Sequence, residues 1–429
     1  MRKDKDSSAS AARAVMVMQI GARRNYFGAR QLEAAGLLHS LVCDAAWPAD
    51  QLSWLARLAP QVKPRLASAI KRRTVVGIDP SRLHATLFPN LASVSKLIFP
   101  QEQAFTVVDE ALGLAARLKG LSGVRVVVNC FGNGGSFLAL AKSKGIRIAT
   151  EFISHPLHWD ILAAERERWN GWEEASSWYT DAAFYRRRIS RLIALSDIYL
   201  CGSEVVASAL SEVPAFDAKR VRIVPHGLSG GIIKPSKAVR GRVLFAASFV
   251  SLIKGLPYLA EAASILRSKK SKIEIVIAGS VSPTLRERPE VNALTFLGQL
   301  GQNSMADEFA RADVFCMPSL AEGGPVSVFE AFANGVPVVT TLASRSVATE
   351  GVEGFIVPER DGAAIAHAIE RIVTDRPLRD RMSAAARQTA ARYNEATCGE
   401  RFIAVIRELL DPPGTLGPAG NAEYGSWSS

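Results

Sequence analysis

The feature that most constrains this chain is an alternation. Short, continuously apolar runs alternate with longer windows of helical period, and the series starts twice. In the first half the runs are AVMVMQI (14–20), VRVVVNC (124–130), IRIAT (146–150), IYLCGS (198–203) and VRIVP (221–225). In the second half they are RVLFAAS (242–248), IEIVIAG (273–279), LTFLG (294–298), VFCMPS (314–319), VPVVTT (336–341) and GFIVP (354–358). Helical windows such as LPYLAEAASILRSKK (256–270) and DGAAIAHAIERIVTD (361–375) lie between them. A strand without polar alternation is buried on both faces, which requires a parallel sheet with helices on either side. The restart near residue 241 follows HGLSGGIIKPSKAVRG (226–241), a Gly-, Pro- and Lys-rich stretch that reads as a linker. A chain of 429 residues also exceeds one ordinary core. The expectation is an α/β chain of two doubly wound Rossmann-like domains, 1–228 and 229–410, followed by a Pro/Gly/Ser-rich tail, 411–429. Ligands of such sheets sit at the carboxyl ends of the strands, here in the cleft where the two domains face each other.

Composition narrows the function classes. At 48% hydrophobic and 22% charged residues the chain reads as folded. A net charge of +11 suits nucleic acid, an anionic membrane surface or a phosphorylated ligand, and equally suits solubility alone; of these partners nucleic acid is the one not expected. The five cysteines are scattered and never form C-x-x-C, which speaks against a disulfide framework, against zinc and for a reducing compartment. No window approaches 18 apolar residues, and VMVM near the start reads as a first buried strand rather than a signal peptide. The expected location is cytoplasmic, with any membrane contact peripheral at the inner face. One segment, 155–191, is dense in aromatic and charged residues and reads as two amphipathic helices. Trp169, Trp172 and Arg186–Arg188 are candidates there for an acceptor- or membrane-facing surface, against a plain solvated insertion.

The chemistry concentrates in EGGPVSVFEAFANGVPVVTT (322–341). A loop leaves a strand, Pro325 suits the first helical position, and Asn334-Gly335 stops the helix. The N–H groups from Gly324 to Ser327 then point into the cleft, where the helix dipole favours a phosphate or diphosphate. Gly323 and Gly324 lack Cβ atoms, so a ligand can approach the backbone closely. Glu322 stands beside this site, able to accept from sugar hydroxyls, and Glu330 can take both hydroxyls of a ribose. A plain α/β unit with a glycine loop and two exposed glutamates is the other reading of the same stretch.

The spacing E-x7-E after a strand, followed by A-x-A-x-G-x-P-V-V, resembles the signature of retaining nucleotide-sugar glycosyltransferases of the GT-B fold, of the glycosyltransferase family 4 group. LTFLGQLGQNSMADEFARADVFCMPSLAEG (294–323), GVEGFIVPERD (351–361), VPHGLSGG (224–231) and SLIKGLPYLAEAASIL (251–266) are similar to further segments of that family. The resemblance covers the C-terminal half almost end to end and the N-terminal half loosely. It implies that Lys254 pairs with the donor diphosphate, Glu330 holds the ribose, and Glu322 holds and orients the transferred sugar. It implies that Gly323, Gly324, Pro325 and Val326 line the sugar and phosphate pocket, and that Leu297 to Leu300 grip the base. It further implies a nucleotide-sugar donor as substrate, a glycan or lipid-linked acceptor, no cofactor and no metal ion. One departure is the absence, in ASFVSLIK (247–254), of the Arg that many relatives place shortly before this Lys.

In the first half, Gly21 follows the first strand, and Gly132, Gly134 and Gly135 follow another in NCFGNGGSF (129–137). Gly21 and Gly134 are candidates for contacts to the donor across the cleft, although such loops are weak signals and also serve as simple turns. His155 and His158 end another strand. By the resemblance His155 is a candidate for contact with the transferred sugar or acceptor. Three functions stay open at this level: a retaining glycosyltransferase, a sugar-nucleotide epimerase of the same fold, and a non-enzymatic basic binding protein.

Overall fold

The computed structural model describes residues 13–48, 73–92, 101–130, 134–173, 181–228 and 232–411. Gly132 and all of the expected tail except Asp411 lie outside them. Among the described residues the first sheet holds β1 (Val15–Gln19), β2 (Leu38–Cys43), β3 (Leu83–Ala85), β4 (Val126–Cys130), β5 (Arg147–Phe152), β6 (Ile198–Cys201) and β7 (Val221–Ile223). Their order is β3-β2-β1-β4-β5-β6-β7, and every pairing is parallel. The second sheet holds β8 (Arg242–Phe249), β9 (Glu274–Ser280), β10 (Leu294–Gly298), β11 (Val314–Met317), β12 (Val338–Thr341) and β13 (Gly354–Val357). It is also wholly parallel, in the order β10-β9-β8-β11-β12-β13. Both are doubly wound, so each has a point where the strand order reverses: between β1 and β4, and between β8 and β11.

The apolar runs are buried on both faces, as such strands must be. In β1, Val15 and Val17 enter one core cluster while Met16 and Met18 enter the cluster on the opposite face. Six helices shape the cleft and the contacts between the domains: α1 (Phe27–Ala34), α2 (His158–Arg168), α3 (Leu256–Ser268), α4 (Pro283–Arg286), α5 (Val326–Ala333) and α6 (Glu395–Leu410). β2 and β3 have no counterpart among the strands expected from sequence. In LHSLVC the polar pair His39-Ser40 interrupts the apolar run, yet Ser40 is fully buried.

Two expectations need correction. First, α6 does not belong to the second domain, as the span 229–410 requires. Its Phe402, Ile406 and Leu409 are buried in one cluster with Val15, Val17, Phe27 and Leu32, so this helix packs on the first sheet. An amphipathic helix satisfies either sheet equally well, and the connection that carries it back is long-range information. Second, Trp169 and Trp172 do not form an exposed surface. Trp172 is buried, and the Trp169 Nε1 donates to the Tyr258 hydroxyl of α3 at 3.1 Å. The Arg288 guanidinium lies over the Trp172 ring at 4.9 Å and also donates to the Gly171 carbonyl. The fully buried Glu165 of α2 accepts from Tyr258 and from Arg360, each at 2.6 Å. A buried carboxylate is tolerated when paired and hydrogen-bonded in this way. The segment after β5 therefore joins the first domain to the second.

Candidate functional site

The reversal point of the second sheet places the loops after β8 and β11 side by side. Lys254 lies in the first loop and Glu322 in the second, and the Lys254 Nζ donates to Glu322 Oε1. Gly255 makes this docking possible: its φ is +75°, and a Cβ there would stand 2.1 Å from the Pro318 carbonyl oxygen. α5 follows Glu322 directly. The helix begins at Val326, and Pro325 is its N-cap with ψ 119°, one position earlier than expected. Extended backbone at Pro325 turns the chain out of the loop before the helix starts. The N–H groups of Val326 and Ser327 have no intrahelical carbonyl to bond, and both residues line a cavity of about 500 Å³. Lys254, Glu322, Pro325, Leu300 and Glu330 line it as well.

Glu330 is the unusual member. Its carboxylate has no hydrogen-bond partner among the described residues, and burial pushes its pKa up to about 7. A desolvated carboxylate facing a cavity is an acceptor without a donor, which is what a pair of ligand hydroxyls supplies.

Across the cleft, a second cavity of about 530 Å³ lies between the domains. It is lined by Glu322, Gly323, Gly324, Pro325 and Val326 on one side and by Gln19, Arg23, Arg24 and Glu151 on the other. Three successive non-glycine residues of the loop after β1, Arg24, Asn25 and Tyr26, have positive φ, a conformation that costs free energy and concentrates at functional sites. Gln19 Nε2 and the Asp44 carboxylate, which bonds the Gly21 N–H at 2.9 Å, hold this loop. Arg24 pairs with Glu151 at 2.9 Å and donates to the His226 carbonyl. The Nδ1 of His226 donates to the Gly324 carbonyl at 3.0 Å, which leaves its buried Nε2 without a partner. Burial and Arg24 hold the His226 pKa down at about 4, so the ring is neutral at pH 7.

The glycines of the motif have a different reason from the expected one. A Cβ on Gly323 would stand 2.0 Å from the Ile153 carbonyl oxygen, and one on Gly324 would stand 3.2 Å from that of Gly202. They let the second domain's loop meet the first domain's backbone. His155 is buried next to this loop. Its Nδ1 accepts from the Leu157 N–H at 3.2 Å, so the neutral ring carries its proton on Nε2. Burial lowers its pKa, and the Glu322 charge opposes that shift. His158 is held at about 4 by burial and by Lys254.

The structure thus gathers Lys254, Glu322, Glu330, Gly323, Gly324, Pro325, Val326 and Leu300, and sets His155 within the field of Glu322. It does not bring Leu297, Gly21 or Gly134 to the lining of these cavities. Leu297 packs against the core. Gly21 shapes the loop through Asp44. Gly134, at φ +102°, makes room for the Met18 side chain, which a Cβ would meet at 2.7 Å. Sequence reasoning missed Ser248 and Phe249 in the first cavity, and Arg23, Arg24 and Glu151 in the second. Their common signal is position at a strand's carboxyl end.

Two doubly wound domains meeting across a cleft, with a cation, two carboxylates and a helix N-terminus at the reversal point, define a protein of the GT-B fold. Residues 240–375 match the family described as glycosyl transferases group 1. The chain is 25% identical over 247 residues to D-inositol 3-phosphate glycosyltransferase of Stackebrandtia nassauensis, covering 51% of this chain and 56% of that one. It is 27% identical over 198 residues to phosphatidyl-myo-inositol mannosyltransferase of Mycobacterium leprae, covering 43% and 53% respectively. The chain spans about half the length of the curated relatives it matches. In fold it is similar to sucrose-phosphate synthase from Thermosynechococcus elongatus, with a TM-score of 0.62 and 15% identity over 92% of this chain and 99% of that one. It is also similar to Anabaena HepE in complex with UDP and glucose, with a TM-score of 0.58 and 14% identity over 92% and 100%. Among the described residues no helix is long and apolar enough to cross a membrane.

Proposed function

We propose that the protein is a retaining, metal-independent glycosyltransferase that moves a sugar from a nucleoside-diphosphate sugar to a hydroxyl of a glycan or lipid-linked acceptor. The observation that carries this reading is the convergence on one cavity of Lys254, Glu322, the free N–H groups at the start of α5 and the unpartnered carboxylate of Glu330. Glu330 receives the ribose hydroxyls. The diphosphate lies against Lys254 and the N–H groups of Val326 and Ser327. Glu322 holds the transferred sugar at the boundary with the second cavity. As the bond from the anomeric carbon to the diphosphate breaks, its electron pair and negative charge pass to the leaving phosphate, while the acceptor oxygen bonds the anomeric carbon and its proton passes to that phosphate. Preorganised cations and dipoles aimed at that charge lower the barrier, and Lys254 with the α5 N-terminus supplies them from the protein. Neutral His155, with a proton on Nε2, is suited to hydrogen-bond a sugar oxygen. The names of the relatives, which include transferases to inositol-containing acceptors, support the class of reaction. A cytoplasmic protein touching the inner membrane face peripherally agrees with its positive charge.

The test is a calorimetric panel of UDP, GDP and ADP sugars, followed by mass spectrometry of the products formed from the best donor. Glu330→Ala and Lys254→Ala are expected to abolish transfer while the far-UV spectrum is kept. Normal turnover in both variants would refute the assignment, and isomerised donor without a new glycoside would mean an epimerase instead.

A further inference from the structure

A third cavity, of about 540 Å³, opens on the far side of the loop that carries Lys254. It shares Lys254 and Phe249 with the donor cavity but none of the α5 residues, and it contains neither glutamate of the motif. One wall comes from the first domain, the other from the second. Its apolar surface is built by Trp159 and Leu162 of α2, by Phe249 and Ile253 after β8, and by Pro283 and Leu285 of α4. Leu162, Ile253 and Leu285 are buried, whereas Phe249 is 58% exposed. Phe249 adds apolar surface at the edge that this cavity shares with the donor cavity.

The charges around this cavity cancel. Arg166 and Glu173 on its wall pair with each other at 3.4 Å. Lys254 at its inner end is paired with Glu322. His158, at the same end, is kept neutral at pH 7 by burial and by Lys254. The lining therefore offers a charge-compensated, mostly apolar surface of the size that buries a small organic ligand, roughly 300–1,000 Å³. A nucleotide or a phosphate is the wrong occupant. The inner end, by contrast, reaches the Lys254–Glu322 pair, where the sugar is transferred in the proposed reaction.

We propose that this cavity is an aglycone subsite, receiving the uncharged alkyl or aryl portion of the acceptor while its hydroxyl reaches the Lys254–Glu322 edge of the donor site. The inference rests on the glycosyltransferase reading, and its test separates the two. The probe is N-phenyl-1-naphthylamine, followed by fluorescence on the full chain, with methyl and decyl glucosides and mannosides as competitors and then as acceptors. Two variants alter the cavity without touching the donor site. Thr284→Trp fills it from the α4 rim. Ser282→Asp places a charge at its mouth yet keeps an N-cap side chain where Ser282 now accepts from the Leu285 N–H. The dye is expected to bind once per chain and to be displaced by decyl but not methyl glycosides. Both variants should weaken its binding at least tenfold and remove the advantage of decyl over methyl acceptors, with donor affinity unchanged within twofold. Dye binding unaltered in both variants, or an unaltered decyl-to-methyl ratio, overturns the proposal. Absence of donor binding in the parent protein overturns the glycosyltransferase reading instead, and the dye measurement still decides whether the cavity takes an apolar group.

Discussion

Glu330 offers a prediction whose magnitude follows from its surroundings. Burial raises its carboxyl from 4.5 to about 7. The folded-state value thus lies above that of the unfolded chain, so ionisation opposes folding. Below pH 4.5 the group is protonated in both states and the penalty vanishes; it grows as the pH rises and is complete above about pH 7. At about 1.4 kcal/mol per pKa unit the full penalty is about 3 kcal/mol, of which about 2.5 kcal/mol develops between pH 5 and pH 8. Glu330→Gln keeps the shape and removes the charge. Relative to the parent, the ligand-free variant should gain about 2.5 kcal/mol more at pH 8 than at pH 5, roughly 5–10 °C in the midpoint of the second domain. Comparing the two pH values cancels whatever the buried amide itself costs. Paired thermal and urea unfolding curves at pH 5 and pH 8 measure it. Hydroxyl donors from a bound ribose favour the ionised form, so nucleotide binding near pH 6.5 should release a proton in the parent and none in the variant. Calorimetry in buffers of different ionisation enthalpy reads that difference. A stability gap that is the same at both pH values, or that favours the parent more at pH 8, refutes the argument that Glu330 is a desolvated, unpartnered carboxylate.

Three further substitutions probe how the domains are held around the site. Gly323→Ala puts a Cβ 2.0 Å from the Ile153 carbonyl oxygen; overpacking of this kind costs about 1–3 kcal/mol, and small-angle scattering should show the domains moved apart, with donor affinity reduced. Phe402→Ala empties a buried position of α6 against Phe27; a loss of about 3–5 kcal/mol is expected in the transition of the first domain rather than the second, resolved by calorimetric unfolding. Tyr258→Phe keeps the ring but removes the hydroxyl that donates to Glu165 and accepts from Trp169; about 1–3 kcal/mol should be lost, with faster proteolysis between the domains.

What could be read from the chain beforehand divides along the range of the interactions responsible. Strands β8 to β13 appear in the sequence within a residue or two of their ends, because a parallel strand buried on both faces must be a continuous apolar run. The stop of α5 is equally legible, since Asn334 and Gly335, with φ +66° at the glycine, form a local C-cap. The pairing of Lys254 with Glu322 is not implied even by the family pattern, which gives Lys254 to the diphosphate and Glu322 to the sugar; it arises because the loops after β8 and β11 meet at the reversal of strand order. Other features depend on partners far away in the chain. Gly323 announces a close approach, but nothing nearby says that the approaching group is the Ile153 carbonyl rather than a ligand. Trp169 and Trp172 read as an amphipathic surface because the residues that cover them, Tyr258 and Arg288, belong to the other domain. The positive φ values of Arg24, Asn25 and Tyr26 leave little trace in residue type, since none of the three is glycine and only Asn25 favours that region. That strain persists because Asp44, Gln19 and Glu151 hold the loop after β1 from three separate strands. A site assembled between two domains is therefore least visible where it is most specific: the side built by Glu322 and α5 is written in one short motif, whereas the side built by Gln19, Arg24 and Glu151 exists only once both sheets are in place.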